Sequence, residues 1–408
     1  PNTTTNLALL AVNTDATAGR TTFDQLYTVN LASGATTSLG TIGQGTNVTG
    51  LAAFISAGTV LTWNGSVSTA WGLAANWTPA QIPTANNDVT IPSGTPNQPT
   101  VSDAQQARLV TLTSGAILTL ANGGTLTTGG SFTNNGGSVA GSGTGTLVLG
   151  GTASIIGGTS ASTFPNLTIT NAASTAAAVS VQRTLTLNGN LAASAAASQP
   201  FTLLSSAAGS AYVVNNGSAV LTGAATVQRC IDPSRNGGLG YRHYSAPVSG
   251  STVNDLATRG FAPMVNPNYN TNPTPSTTTP FPNVFDYNEA LVNSSGSPTP
   301  QDFDKGYFSP NGLGDALEVT RGYTVNINSA ALVDFTGSLN NGATPLTTGS
   351  LSRGSQTESG YHLRGNPFPA PLDWDAMVSN NRLTNVQNAL YVFKSSGQFS
   401  GSYASYIN

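Results

Sequence analysis

At 408 residues the chain is long enough for two or three domains with cores of their own, and its formal net charge is only −3. Charged residues make up 7% of it, against about 25% in an average domain, while 38% is hydrophobic; this pairing excludes a disordered polyelectrolyte and points to an ordered, β-rich protein. Two lysines and eleven dispersed arginines exclude a phosphate-binding patch, and with it a nucleic-acid partner, and no apolar run reaches the ~20 residues of a membrane-spanning helix.

The first 60 residues read as short strands: "NLALLAVN", "QLYTVNLAS", "ATTSLGTIG" and "VTGLAAF". The middle two flank a turn at Ser33-Gly34, the expected hairpin chemistry. The segment "LYTVNLASGATTSLGTIG" resembles one repeat of propeller-like surface proteins, and a single blade cannot bury both of its faces. The opening "PNTTTNLALLAVNTD" carries neither an initiator Met nor a signal peptide of the usual kind, so a processed or truncated chain is expected.

Residues 61–99 form a distinct module. Trp63, Trp71 and Trp77, three of the four tryptophans, fall within fifteen residues. From 100 to 228 follow short alternating runs such as "ARLVTLTSG", "AILTLANGG", "TLVLGG" and "TLTLNGN". Strands of four to six residues recur at intervals of eight to ten, separated by Gly and Asn turns. Arg183 is the one charged residue between Arg108 and Arg229. Even spacing with small turn residues predicts a parallel β-helix, with an ordinary β-sandwich as the alternative. The Ala-rich "NAASTAAAV" and "LAASAAASQP" are expected to be loops or wide corners.

From 229 to 408 tyrosine, arginine, proline and acidic residues return, and aromatic, β-branched runs predict an antiparallel sandwich-like domain. A Pro/Thr-rich surface loop is expected at 262–283, and "DWDAMVSNN" suggests one short helix with Asp373 at its N-terminus. The fold class is thus all-β: a hairpin segment, a solenoid and an antiparallel domain.

Candidate chemistry is sparse. Cys230 in "ATVQRCID" reads as a small strand residue, and no disulfide can form within the chain. His243 in "YRHYSAP" and His362 in "GYHLRG" read as structural; a Ser-His-Asp set stays open on sequence order alone. No G-x-S-x-G elbow or zinc-spaced cluster is present, and neither an enzyme nor a cofactor is expected. Asp302 and Asp304 in "PQDFDKGY" are weak calcium candidates beside the simpler reading of a solvated acidic loop; Asn311, Asp315 and Glu318 are weaker still.

Three motifs in order resemble a known group. "TWNGSVSTAWGLAANWTPAQIPTANNDVTIP", carried by Trp63, Gly65, Trp71, Asn76, Trp77, Pro83, Asp88, Val89, Ile91 and Pro92, resembles the Trp-rich entry module of large secreted surface proteins of gliding-type bacteria that use type IX secretion. "GTGTLVLGGTASIIGGTSASTFPNLTIT" (143–170) resembles the repeats that follow, and "GYHLRGNPFPAPLDWD" (360–375) a segment near their sorting domain. The likeness covers most of 60–400. It implies an extracellular, cell-surface location and an adhesive or structural role, with partners in other copies of the chain, a larger parent protein, or glycans. No sorting domain is recognisable after "GSYASYIN", so the chain is expected to be incomplete at both ends. The tryptophans are expected to cover the open end of the β-helix; the rival reading makes them a stacking platform for sugars.

Overall fold

The computed structural model describes residues 7–12, 24–30, 35–42, 59–231, 236–292, 306–328, 331–340, 351–355, 359–380 and 382–407. Two compact units are present, Pro1–Thr59 and Val60–Asn408. In the first, Leu7–Val12, Asp24–Asn30 and Thr36–Ile42 form a three-stranded antiparallel sheet in chain order. The Ser33-Gly34 turn and the run "VTGLAAF" lie outside the described residues.

The second unit is built on a β-solenoid of about seven turns. Its coils contribute strands to three parallel faces. On the first face Val60–Trp63 pairs with Asp88–Ile91, and the ladder continues through Leu109–Leu112, Phe132–Asn134, Ser154–Gly158, Ala173–Thr175, Leu191–Ala192 and Leu221–Thr222. The second face is short: Thr100–Val101, Ile117–Leu120 and Ser138–Gly141. The third runs from Ala104–Ala107 through Thr125–Thr128, Thr146–Leu149, Ser162–Ile169 and Val179–Leu187 to Phe201–Leu203 and Ala224–Cys230. Three strands per coil in the first turns, and two in the later ones, explain why runs eight to ten residues apart in sequence end up on different faces.

Period-2 alternation decides what each coil buries. Val89, Val110, Phe132 and Ile156 stack inward along the first face, and Leu126, Leu147, Leu167 and Leu185 along the third, all at 0–1% exposure. Full burial of such side chains contributes about 1.5–3 kcal/mol each. Corners are closed by backbone approach. At Gly158 φ is +111° and a Cβ would stand 2.1 Å from the Asn134 carbonyl oxygen, so only glycine fits. Asn134, fully buried, donates to the Ala161 carbonyl (2.8 Å) and accepts from Gly137 N–H (2.8 Å), meeting the backbone groups a corner leaves without a ladder partner.

Two expectations change here. The tryptophan module and the solenoid are one object, because Val60–Trp63 and Asp88–Ile91 are already coil strands. Within the Ala-rich stretches, Ala173–Thr175 and Leu191–Ala192 are strands, since small side chains still satisfy the alternation.

At the far end the strand direction reverses. Ala224–Cys230 pairs antiparallel with Leu332–Leu339, which pairs with Val248–Ser249. A second antiparallel sheet joins Leu239–Tyr244, Tyr323–Asn328, Val284–Tyr287 and Tyr307–Phe308. One apolar core runs unbroken from Leu61 to Leu339, so the change at residue 229 marks a switch of strand arrangement within one body. The Pro/Thr-rich stretch is pinned down. It holds 3₁₀ turns at Pro267–Asn270 and Pro275–Thr277, and Tyr269 (2% exposed) packs edge-on against Phe285 at 5.2 Å. The one α-helix among the described residues, Trp374–Ser379, is capped by Asp373, whose carboxylate accepts from Ala376 N–H.

Candidate functional site: the tryptophan cluster and the solenoid ends

Trp63, Trp71 and Trp77 are each 1% exposed. Trp63 meets Trp77 edge-on (5.0 Å between ring centroids, 83°) and Trp71 does the same from the other side (4.8 Å, 74°). Trp63 and Trp77 sit on the outermost strands of the first face, where Trp77–Thr78 adds one antiparallel pair beyond Val60–Trp63 and ends the ladder, and Trp71 lies in the turn between them. T-shaped indole pairs contribute about 0.5–1.5 kcal/mol each beyond the area they bury.

The polar residues of the motif hold this arrangement. Trp63 Nε1–H donates to the Asn97 carbonyl (2.7 Å), and the Asn97 side chain donates back to the Gly65 carbonyl (2.8 Å). Gly65 has φ +55°, and a Cβ there would lie 2.0 Å from the Asn97 oxygen, which accounts for the W-x-G spacing. Asn76, fully buried, accepts from Val67 and Ser68 N–H (3.0 Å each) and donates to the Ala70 carbonyl (2.9 Å), folding the loop between Trp63 and Trp71. Trp77 Nε1–H donates to the Trp71 carbonyl (2.8 Å). Asp88 is paired with Arg108 of the next coil. Trp63, Gly65, Asn76, Trp77 and Asp88 thus each have an internal duty, and none of the three indoles is open to solvent. Asn97 lies outside the sequence motif; its role follows from a corner that places it beside Gly65.

The late motif seals the opposite end. The Pro369 carbonyl accepts from Val213 N–H (2.7 Å), on the last coil, and the Pro367 carbonyl accepts from the Asn340 side chain (3.0 Å). Gly365 is pressed onto Ser245, where a Cβ would stand 1.9 Å from the serine Cβ, and its N–H donates to the Thr320 carbonyl (3.1 Å). Asn366 braces the turn by accepting from Phe368 N–H and donating to the Ala370 carbonyl.

The remaining candidates fall apart in space. Asp302 and Asp304 lie outside the described residues. Asp315 accepts from Asn311 N–H (2.8 Å), a turn bond, and among the described residues no three His, Cys, Asp or Glu side chains converge. His243 is half-buried and stacks on Phe393 (5.6 Å, 28°), with Tyr403 beyond; burial pushes its pKa down to about 4, so it is neutral at pH 7. His362 Nε2 lies 2.8 Å from the Ser352 carbonyl oxygen. Cys230 is half-buried at the end of its strand and borders a cleft of about 370 Å³ together with Arg229, His243 and Arg364. Glu289, 2% exposed, was missed in the sequence: its carboxylate accepts from Ser352 Oγ–H (2.7 Å), Gly354 N–H and Gly360 N–H (3.1 Å), bonds that hold its pKa below the usual carboxylate value and tie Ser352, Gly354 and Gly360 to the sheet domain.

Aromatic surface is exposed elsewhere. The antiparallel hairpin Ala389–Ser395 and Gly401–Ile407 forms a two-stranded sheet carrying Tyr391, Val392, Tyr403, Tyr406 and Ile407 at 43–71% exposure.

Residues 62–156 match the family described as a domain of unknown function, DUF8693. The matched span joins the tryptophan segment to the first solenoid turns without a break. No curated protein and no solved structure matches the chain.

Proposed function

We propose that the protein is a non-enzymatic, extracellular structural and adhesive surface protein whose solenoid serves as a rigid rod of very low charge. The observation that carries this reading is the closure of the solenoid by its own sequence at both ends: buried indoles and one antiparallel pair at one, a direction-reversing sheet and the Pro367–Pro369 segment at the other. Closed ends suppress coil-on-coil stacking, the ordinary hazard of a solenoid. Self-assembly, in this reading, proceeds by strand addition between small antiparallel elements, the N-terminal three-stranded sheet of one copy and the Ala389–Ile407 hairpin of another. The resemblance to secreted surface proteins of type IX systems supports the location.

The test is negative-stain electron microscopy of the full chain at rising concentration. Fibres with one rod per repeat are expected, and the paired substitution Val392→Lys with Ile407→Lys on the hairpin should disperse them. Monodisperse single rods at every concentration contradict the assembly step.

A second reading, a carbohydrate-binding module of a larger secreted protein, is favoured by the exposed tyrosines of that hairpin, since open aromatic faces stack on pyranose rings. Titration with soluble oligosaccharides, read by tyrosine perturbation in wild type and Tyr391→Ala, separates the two.

A further inference from the structure

We propose that the third face of the solenoid binds ice, through a lattice of threonines that the sequence conceals. The coils differ in length, so the threonines are irregularly spaced along the chain, yet the ladder brings them into register. Thr125 stands beside Thr146, Asn166 and Thr184 in one column. Two residues on along each strand, Thr127 stands beside Val148, Thr168 and Thr186 in the next. Six of these eight outward positions are threonine, and none is charged. All eight keep partial contact with solvent, whereas the alternate positions are buried.

Such an array has two fixed repeats: about 4.8 Å between neighbouring coils and about 6.6 Å between positions i and i+2 of a strand. The two repeats set hydroxyl and methyl groups on a flat rectangular grid on which a layer of ordered water can be held. Threonine suits the task chemically. Its hydroxyl gives and takes hydrogen bonds, its methyl fills the gaps of a water lattice, and its β-branch restricts χ1. The hydroxyls of Thr125, Thr127, Thr168, Thr184 and Thr186 have no hydrogen-bond partner within the described residues, so they are available to ordered water. The Thr146 hydroxyl is engaged with the Thr144 carbonyl and the Asn166 side chain with the Gly143 and Gly145 carbonyls, so the free hydroxyls of the first column are those of its two ends, Thr125 and Thr184. Fully buried leucines at 126, 147, 167 and 185 back the face and keep it rigid.

The first face supplies the contrast. Its outward column Thr62, Thr90, Thr111 and Thr133 is also in register, but the Asp88–Arg108 ion pair occupies the adjoining column, whereas on the third face the charged neighbour, Arg183, sits at the register shift just before Thr184 and outside both columns. The proposal names ordered water as a surface for the adhesive reading, yet its outcome is independent of filament formation, which is tested separately by microscopy.

The test uses the full chain, fluorescently labelled, in the presence of a slowly grown single ice crystal. Wild type and Thr111→Lys should be taken into the ice and light up discrete crystal planes. The double substitution Thr127→Lys with Thr168→Lys should be rejected to the level of serum albumin, with an unchanged far-UV spectrum and melting profile. Exclusion of wild type overturns the proposal, whether or not the double variant folds. Uptake of a folded double variant equal to wild type overturns it as well, because binding then lies elsewhere.

Discussion

Replacing Trp77 by alanine removes the ring on which both other indoles lean. Truncating a buried tryptophan costs about 3–5 kcal/mol through lost burial and the cavity left behind. Trp77 is 1% exposed and in edge contact with Trp63 and Trp71, so the upper part of that range applies. Its Nε1–H also satisfies the Trp71 carbonyl, and leaving that acceptor buried adds about 1–3 kcal/mol. The expected loss is about 5–8 kcal/mol, comparable with the whole stability of many domains. A solenoid unfolds by neighbouring coils, so the loss should be local. Hydrogen exchange read by peptide mass is the suitable assay. Amides of 60–112 should lose most of their protection in Trp77→Ala, while those of 323–339 keep theirs. Equal protection of 60–112 in variant and wild type would refute the reasoning.

Gly65→Ala should destabilise the same end without touching an indole, because φ +55° is strained for any Cβ and the Asn97 oxygen blocks its place; a fall of at least about 1–2 kcal/mol in urea unfolding is expected. Stability should also fall with acidification through His243. Its folded pKa, about 4, lies below the unfolded value near 6.5, so the unfolded chain takes up the proton first and stability is lost as pH drops from about 6.5 toward 4. The loss is about 2–3 kcal/mol by pH 4.5, and His243→Gln should flatten the urea midpoint between pH 7 and 5. Glu289→Gln turns an acceptor toward three donors into a group with donors of its own; faster exchange at 351–355 and 359–363, with the solenoid unchanged, is expected.

The solenoid was legible because period-2 alternation with Gly and Asn corners is a local signal that recurs in every coil. The helix at Trp374 was legible from its cap. What the sequence did not carry is register. Coil lengths vary, so the partner of Thr127 or Thr146 cannot be counted off, and threonines that look scattered along the chain fall into columns once the ladder forms. Strand direction at the end is of the same kind: Ala224–Cys230 alternates like any coil strand, and nothing in it announces that Leu332–Leu339 will pair with it antiparallel. Glu289 was invisible because its partners are backbone groups of a distant loop. The tryptophan cluster was half legible. Its composition gave the aromatic mass, but Asn97, which holds Trp63 and accounts for Gly65, comes from the next corner.

The claim on which the rest depends is that Trp63, Trp71 and Trp77 lie inside the solenoid end and do not meet a ligand. Trp374→Phe leaves these three as the only indoles, and collisional quenching by acrylamide then reads their exposure directly. The account predicts a blue-shifted emission, weak quenching and no change on adding pyranose oligosaccharides. Strong quenching, or an emission shift on adding the sugar, would contradict it and make the cluster a binding platform.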